Sequence, residues 1–114
     1  MSETWTTACR ADELEPGGAT TVPGACPPIA VFNVDGEFLA TDDTCTHADF
    51  SLADGYLDGD TVECELHFAQ FSVRTGAPLT APATDPLGTY PVRVVDGEVQ
   101  VAVTARCVLQ TFRA

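Results

Sequence analysis

The feature that most constrains the fold is the pattern of short apolar or alternating runs, which turn residues interrupt about every eight to twelve positions. Two Asp-Gly dipeptides, at residues 35–36 and 96–97, each lie between two such runs. Asp-Gly readily adopts the positive φ angles that a two-residue hairpin turn requires. No segment shows a convincing amphipathic helical period. The sequence therefore predicts an all-β fold that contains two hairpins.

The individual runs predict strands at residues 4–9, 20–22, 29–34, 37–42, 61–64, 70–73, 89–95 and 98–103. In the first strand, we expect Trp5 to anchor the core. Segment 74–88 holds three of the eight prolines and is predicted to be a long functional loop, because proline is excluded from central strands. Segment 104–114 is predicted to be a last strand or a tail.

The length and composition predict one globular domain over residues 1–114. No apolar run approaches the roughly 20 residues of a transmembrane helix, and the N-terminus lacks the basic and apolar regions of a signal peptide. We therefore expect a cytoplasmic protein without a membrane segment. Three of the five cysteines, Cys9, Cys26 and Cys107, have no histidine nearby and are interpreted as buried or partly exposed thiols. A disulfide between two of them stays open.

The charge of the chain is strongly asymmetric, with seventeen acidic residues against five arginines, no lysine and a net charge of −12. Nucleic acid is disfavoured as a partner, since so few bases cannot neutralise a row of phosphates. Anionic membranes are disfavoured for the same reason. The acidity fits either a basic protein partner, attracted by long-range electrostatics, or a general contribution to solubility.

All the histidine of the chain lies in one pattern, Cys45-x-His47, then sixteen residues, then Cys64-x-x-His67. Two thiolates and two imidazoles suit either a tetrahedral zinc ion or a [2Fe–2S] cluster with two cysteines on one iron and two histidines on the other. Zinc sites usually group like ligands together. Here each segment offers one ligand of each kind, which favours the cluster and leaves zinc as the alternative.

The stretch around these ligands, CTHADFSLADGYLDGDTVECELHFAQFSVRTGAP (45–78), resembles the Rieske-type ferredoxin components of bacterial aromatic-ring-hydroxylating dioxygenases. The resemblance extends over about residues 4–103. It implies an antiparallel β-sandwich or barrel base that bears a small cluster-binding subdomain, about residues 43–87, with two ligand loops. One Rieske-type [2Fe–2S] cluster is the implied cofactor.

The same resemblance implies that Cys45 and Cys64 bind the inner iron, and that His47 and His67 bind the outer iron. A one-electron carrier is expected, which passes electrons from an NADH-dependent flavin-containing ferredoxin reductase to a terminal oxygenase. No third histidine is present to build a mononuclear iron site, so we expect no enzyme activity. The alternatives are a small subunit of a nitrite-reductase-type complex and a zinc-stabilised binding module. Nothing indicates an obligate dimer, and we expect a monomer.

Two departures from the high-potential branch of this family predict a low reduction potential. Neither ligand segment has the additional cysteine of that branch, and Ala69 and Phe71 stand where it has hydroxyl-bearing side chains. Eight acids and no base lie between residues 42 and 65. Missing hydrogen-bond donors and nearby negative charge both disfavour an added electron, which predicts a potential of about −150 mV. Around the ligands, we expect an apolar collar of Phe50, Leu66 and Phe68, with residues 78–86 as a third wall.

Overall fold

The computed structural model describes residues 3–25, 27–44, 51–64, 69–80 and 86–104. Within these ranges the chain forms ten strands: β1 (Glu3–Arg10), β2 (Ala19–Thr21), β3 (Ile29–Val34), β4 (Glu37–Asp42), β5 (Tyr56–Asp58), β6 (Thr61–Glu63), β7 (Gln70–Ser72), β8 (Thr89–Tyr90), β9 (Val92–Val95) and β10 (Glu98–Thr104). Two single-turn 3₁₀ helices cover Ala11–Glu13 and Leu52–Asp54. No helix among the described residues is long and apolar enough to cross a bilayer. The predicted all-β class is confirmed.

The strands form three antiparallel sheets. The first has the order β1-β10-β9, the second β2-β3-β4-β8, and the third, smaller sheet β5-β6-β7. All six residues of β3 are buried, because this strand lies between two cores. Ile29 and Val31 pack in one core with Val99 and Val101 of the first sheet. The alternate residues of β3, including Phe32, pack in the other core with the small sheet.

The two predicted hairpins form as expected. Asp35 and Gly36 have φ angles of 53° and 95°, and Asp96 and Gly97 have φ angles of 52° and 78°. Positive φ at both central residues is the geometry of a tight turn that matches the twist of the flanking strands. The turns therefore set the registers Val34↔Glu37 and Val95↔Glu98 through local sequence alone.

The expectation that Trp5 anchors the core is wrong. Trp5 is 39% exposed, and the Arg93 guanidinium stacks 4.1 Å from the centroid of its ring. Thr6 pairs with the fully buried Val101, and paired residues lie on the same face of a sheet. The Thr6 side chain therefore faces inward, and the side chains of its two neighbours face outward. The indole therefore lies on the outer face of the sheet, where a cation–π contact replaces burial.

Two further strand predictions need correction. The segment predicted as one strand at 89–95 is divided at Pro91: β8 pairs with β4, whereas β9 pairs with β10. Proline cannot donate a ladder hydrogen bond, and the chain changes sheets at this residue. The short strand β5 is absent from the sequence prediction because only Leu57 of its three residues packs against the core. Residues 105–114 of the predicted terminal segment lie outside the described residues.

Candidate metal centre

One of the four predicted ligands, Cys64, lies among the described residues, and its side chain is fully buried. Cys45, His47 and His67 lie outside them, as do Phe50, Leu66 and Phe68 of the predicted collar, and Cys26 and Cys107 among the remaining thiols. The structure therefore describes the residues that flank each ligand segment on either side. We call these flanking residues the base of the segment.

The base of the second ligand segment is the β6–β7 hairpin. Glu63 pairs with Gln70, and the Cys64 amide then donates a hydrogen bond of 2.7 Å to the Ala69 carbonyl oxygen. Cys64 and Ala69 are both fully buried. This bond joins the two sides of the segment to which His67 belongs, and it fixes the backbone of Cys64 directly at the end of the small sheet.

The base of the first ligand segment is closed by Asp43 and by an isolated bridge between Thr44 and Ser51. The Asp43 carbonyl oxygen accepts a hydrogen bond from the Leu52 amide at 2.7 Å. Its carboxylate Oδ1 accepts one from the Ser51 hydroxyl at 2.9 Å and one from the Ala53 amide at 3.0 Å. The two sides of the segment that contains Cys45 and His47 are thus joined by one residue.

The bases of the two ligand segments lie next to each other in the fold. Leu52, which follows the first segment, and Cys64 belong to the same apolar cluster, together with Val62 and Phe71. Gly55 makes the close approach possible, since a Cβ on this residue would lie 2.2 Å from the Glu63 carbonyl oxygen. The fold therefore brings the bases of the two cysteine-and-histidine segments, which are far apart in sequence, to one end of the small sheet.

A third segment follows β7 and runs back along its outer edge. Phe71 forms a bridge with Pro78, and the Leu79 amide donates to the Gln70 carbonyl oxygen at 2.7 Å. The segment is closed at Gly76, whose carbonyl oxygen accepts from the Leu87 amide at 2.8 Å. Residues 78–80 of the predicted third wall (78–86) therefore lie beside the small sheet, and residues 81–85 lie outside the described residues.

Asp42 fixes the chain just after this third segment. One carboxylate oxygen accepts a hydrogen bond from the Gly88 amide at 2.8 Å, and the other accepts a short bond from the Tyr90 hydroxyl. In the sequence, Asp42 and Asp43 stand out only as negative charges. In the structure, both carboxylates accept hydrogen bonds that hold segments around the site. Their one other sequence signal is their position, at the end of a predicted strand and two to three residues before Cys45.

Arg74 links the small sheet to the second sheet. Its Nη1 bonds Glu37 at 2.9 Å and its Nε bonds Asp60 at 3.1 Å. The hydrogen bond to Glu37, and after it the bond to Asp60, raises the pKa of the guanidinium above its ordinary value. Arg74 is the only arginine or lysine in the sequence between residues 42 and 90, and it already pairs with two acids. The small sheet is therefore left with an excess of negative charge.

The surroundings of Cys64 suit an iron–sulfur cluster. A thiolate is the ligand that such clusters use, and burial in an apolar shell is one of the factors that set their potential. The shell includes Ala69 and Phe71, whose side chains offer no hydroxyl donor. The described part of the donor set thus fits a cluster with few hydrogen bonds from side chains.

Comparison with known proteins agrees with this chemistry. Residues 4–91 match the family model of the Rieske [2Fe-2S] domain. The biphenyl dioxygenase ferredoxin subunit of Pseudomonas sp. (strain KKS102) is 50% identical over 99 residues, covering 86% of this chain and 91% of that protein. The structure of Sphingomonas yanoikuyae B1 ferredoxin matches with a TM-score of 0.83 and 37% identity, over 89% of this chain and 100% of that one.

A further solved structure is a complex of reduced oxygenase and oxidized ferredoxin in carbazole 1,9a-dioxygenase. One of its chains matches with a TM-score of 0.79 and 46% identity, over 86% of this chain and 92% of that chain. The family match decides between the two metals that the sequence left open, in favour of the iron–sulfur cluster over zinc. The chain therefore belongs to the Rieske [2Fe–2S] domain family, and it is an electron carrier with one cluster of that type rather than an enzyme.

Proposed function

We propose that this protein passes single electrons from an NADH-dependent flavoprotein reductase to the terminal oxygenase of an aromatic-ring-hydroxylating dioxygenase system. The observation that carries this proposal is similarity, over nearly the whole of both chains, to a biphenyl dioxygenase ferredoxin subunit. The match to a solved oxygenase–ferredoxin complex supports the oxygenase as the electron acceptor. Reduction by a flavoprotein follows from the resemblance to multicomponent systems of this kind.

Within the same proposal, Cys45 and Cys64 hold the inner iron, and His47 and His67 hold the outer iron. The full burial of the Cys64 side chain supports its place on the inner iron. When bound, the cluster supplies a one-electron couple. The chain positions its four ligands, excludes water from the thiolate with an apolar shell, and presents the histidine side to partners. We assign this role to residues 43–87 of a single domain.

The acidity of the small sheet supports a partner with basic surface patches. Asp54, Asp58, Asp60 and Glu63 all lie in this part of the sequence, and its one arginine, Arg74, is already paired with Glu37 and Asp60. Electrostatic complementarity accelerates encounter and weakens with salt. We propose that Phe50, Leu66 and Phe68 form the apolar centre of this transient contact, which is small because electron-transfer partners must separate quickly.

The ligand assignment is tested by purification without oxygen and by measurement of iron, labile sulfide and the visible spectrum. We expect about two irons and two sulfides per chain and a brown protein. Cys64→Ser should abolish both. Cys9→Ser, which replaces a partly buried thiol outside the ligand pattern, is the matched control and should retain the cluster. Wild-type protein without iron and sulfide would refute the assignment.

The partner assignment is tested with the purified reductase and oxygenase of a biphenyl dioxygenase system. We expect NADH and reductase to bleach the cluster, and the oxygenase to reoxidise it at a rate that falls as salt rises. Phe68→Ala should slow the second step while leaving the visible spectrum unchanged. A cluster that the reductase reduces but that no oxygenase of this class reoxidises would contradict the proposed acceptor.

A further inference from the structure

Asp43 is a buried acidic residue two positions before the predicted ligand Cys45. Of the buried side chains that the structure describes, three are polar, namely Asn33, Thr41 and Asp43, and Asp43 alone carries a charge. Its exposed fraction is 6%. A buried carboxylate is costly unless hydrogen bonds compensate for the water that it has lost. The position therefore needs the carboxylate for a purpose that an apolar side chain would not serve.

The bonds of Asp43 all serve the base of the first ligand segment. Its amide donates to the Pro28 carbonyl oxygen at 2.9 Å, which ties it to the chain leading into β3. Its carbonyl oxygen and its Oδ1 accept three hydrogen bonds from the consecutive residues 51–53. Both ends of the segment are thereby attached, through one residue, to Pro28, directly before β3 of the second sheet.

We propose that Asp43 is a positioning residue for the cluster, whose carboxylate holds the ligand segment 45–50 at a fixed place and so sets the positions of Cys45 and His47. This inference rests on the proposed ligand assignment. Cys45 follows Asp43 by two residues and His47 by four, so a shift at the base is transmitted directly to both ligands. Hydrogen bonds to a charged acceptor are stronger than those to a neutral one, so a carboxylate at this position can keep the segment in place when the cluster is bound.

The variant that tests this inference is Asp43→Ala, and the matched control is Asn33→Ala. Asn33 is also buried and makes two side-chain hydrogen bonds, to the Leu14 carbonyl oxygen at 2.6 Å and from the Gly36 amide at 2.7 Å. It lies at the opposite end of the β3–β4 hairpin, next to the Asp35-Gly36 turn. A loss of global stability alone should therefore affect the two variants in the same way.

Three properties of the loaded protein are measured: the rate of cluster loss to a chelator, the electron paramagnetic resonance spectrum of the reduced cluster, and the midpoint potential. For Asp43→Ala we expect cluster loss at least about tenfold faster than for wild type, because two hydrogen bonds to a carboxylate are removed. The spectrum and the potential should also change. Asn33→Ala is compared with Asp43→Ala at urea concentrations that give both variants the same fraction of folded protein. Its spectrum and midpoint potential should equal those of wild type.

Two milder variants keep the test decisive if Asp43→Ala does not fold. Asp43→Asn retains an oxygen that can accept hydrogen bonds from Ser51 and Ala53. Its cluster should therefore be lost almost as slowly as that of wild type. Ser51→Ala removes one donor and leaves the Ala53 bond, and it should give an intermediate rate. If Asp43→Asn loses its cluster as fast as Asp43→Ala, the hydrogen-bond role is refuted.

The remaining outcomes separate this inference from the proposed function. Wild-type protein without a cluster would overturn the ligand assignment and the role of Asp43 with it. A loaded wild type, with Asp43 variants that match Asn33→Ala in spectrum, potential and rate of cluster loss, would overturn the role of Asp43 alone and leave the electron-carrier function intact.

Discussion

The Gly76 backbone and the Leu87 carbonyl oxygen approach so closely that a Cβ on Gly76 would lie 2.1 Å from that oxygen. Gly76 also has a φ of 79°, which L side chains rarely adopt, and its carbonyl oxygen accepts the Leu87 amide at 2.8 Å. One glycine thus joins the two ends of the proline-containing segment. No other residue can occupy this position without a backbone shift.

We therefore expect Gly76→Ala to reduce the free energy of unfolding by about 2–4 kcal/mol, from positive-φ strain together with the backbone clash. Gly17→Ala is the control, since Gly17 has a φ of 87° but no atom within 4 Å of its Cβ position. It should cost only about 1 kcal/mol. Urea denaturation measures both values, and equal losses in the two variants would show that the contact with Leu87 is unimportant.

The second prediction concerns the reduction potential. We expect a wild-type value of about −150 mV, because neither Ala69 nor Phe71 offers a hydroxyl donor to the cluster. Phe71→Tyr should raise it by about 40–65 mV, since one hydrogen bond that stabilises the reduced cluster by about 1–1.5 kcal/mol corresponds to that shift for one electron. Redox titration measures both proteins.

The control for this potential is Val73→Thr, which adds a hydroxyl to the same apolar cluster two residues further along the chain. Its potential should stay close to that of wild type. A wild-type potential above zero, or an unchanged potential in Phe71→Tyr, would contradict the role given to the missing hydroxyl.

The third prediction follows from the environment of Cys9. Burial, and after it the nearby Glu13 carboxylate, raises the pKa of this thiol above its ordinary value. The thiolate fraction at pH 8 is therefore smaller than in an exposed peptide, so alkylation by iodoacetamide should be slower and its rate should level off only above pH 9. Because the unfolded chain releases this proton at a lower pH, the thiol lowers stability as the pH rises past 9.0.

Mass spectrometry of the Cys9 peptide follows the alkylation. Glu13→Gln removes the smaller cause of the shift and should move the rate profile slightly towards lower pH. A profile in the folded wild type that coincides with that of the unfolded chain would contradict the structure around Cys9.

The fourth prediction compares two aromatic residues in different environments, one in the core and one on the outer face of a sheet. Phe32 is fully buried between β3 and the small sheet, so Phe32→Ala should cost about 3–5 kcal/mol. Trp5 is half exposed under Arg93, so Trp5→Ala should cost only about 1–2 kcal/mol. Denaturation experiments measure the free energy of unfolding of both variants. A larger loss for Trp5→Ala than for Phe32→Ala would show that Trp5 is part of the core.

The local features of this protein were predictable because short-range chemistry decides them. The Asp-Gly pairs at 35–36 and 96–97 have the positive φ angles that a tight turn needs, and each joins two neighbouring strands of its sheet. The cysteine and histidine pattern likewise depends on donor chemistry and spacing. By itself, the sequence therefore determined the two hairpins and the all-β class, and its ligand pattern favoured an iron–sulfur cluster over zinc, a choice that the family match then decided.

Only the tertiary structure decided which neighbours the side chains meet. Trp5 faces outward because β1 pairs with β10 in a register that turns Thr6 inward, and nothing in residues 4–9 specifies that pairing. Asp42 and Asp43 appear in the sequence as two more acids, yet their carboxylates accept hydrogen bonds from Gly88 and from Ser51, 46 and 8 residues away. Contacts at such separations form only when packing brings distant backbones together, so their partners cannot be read from local patterns.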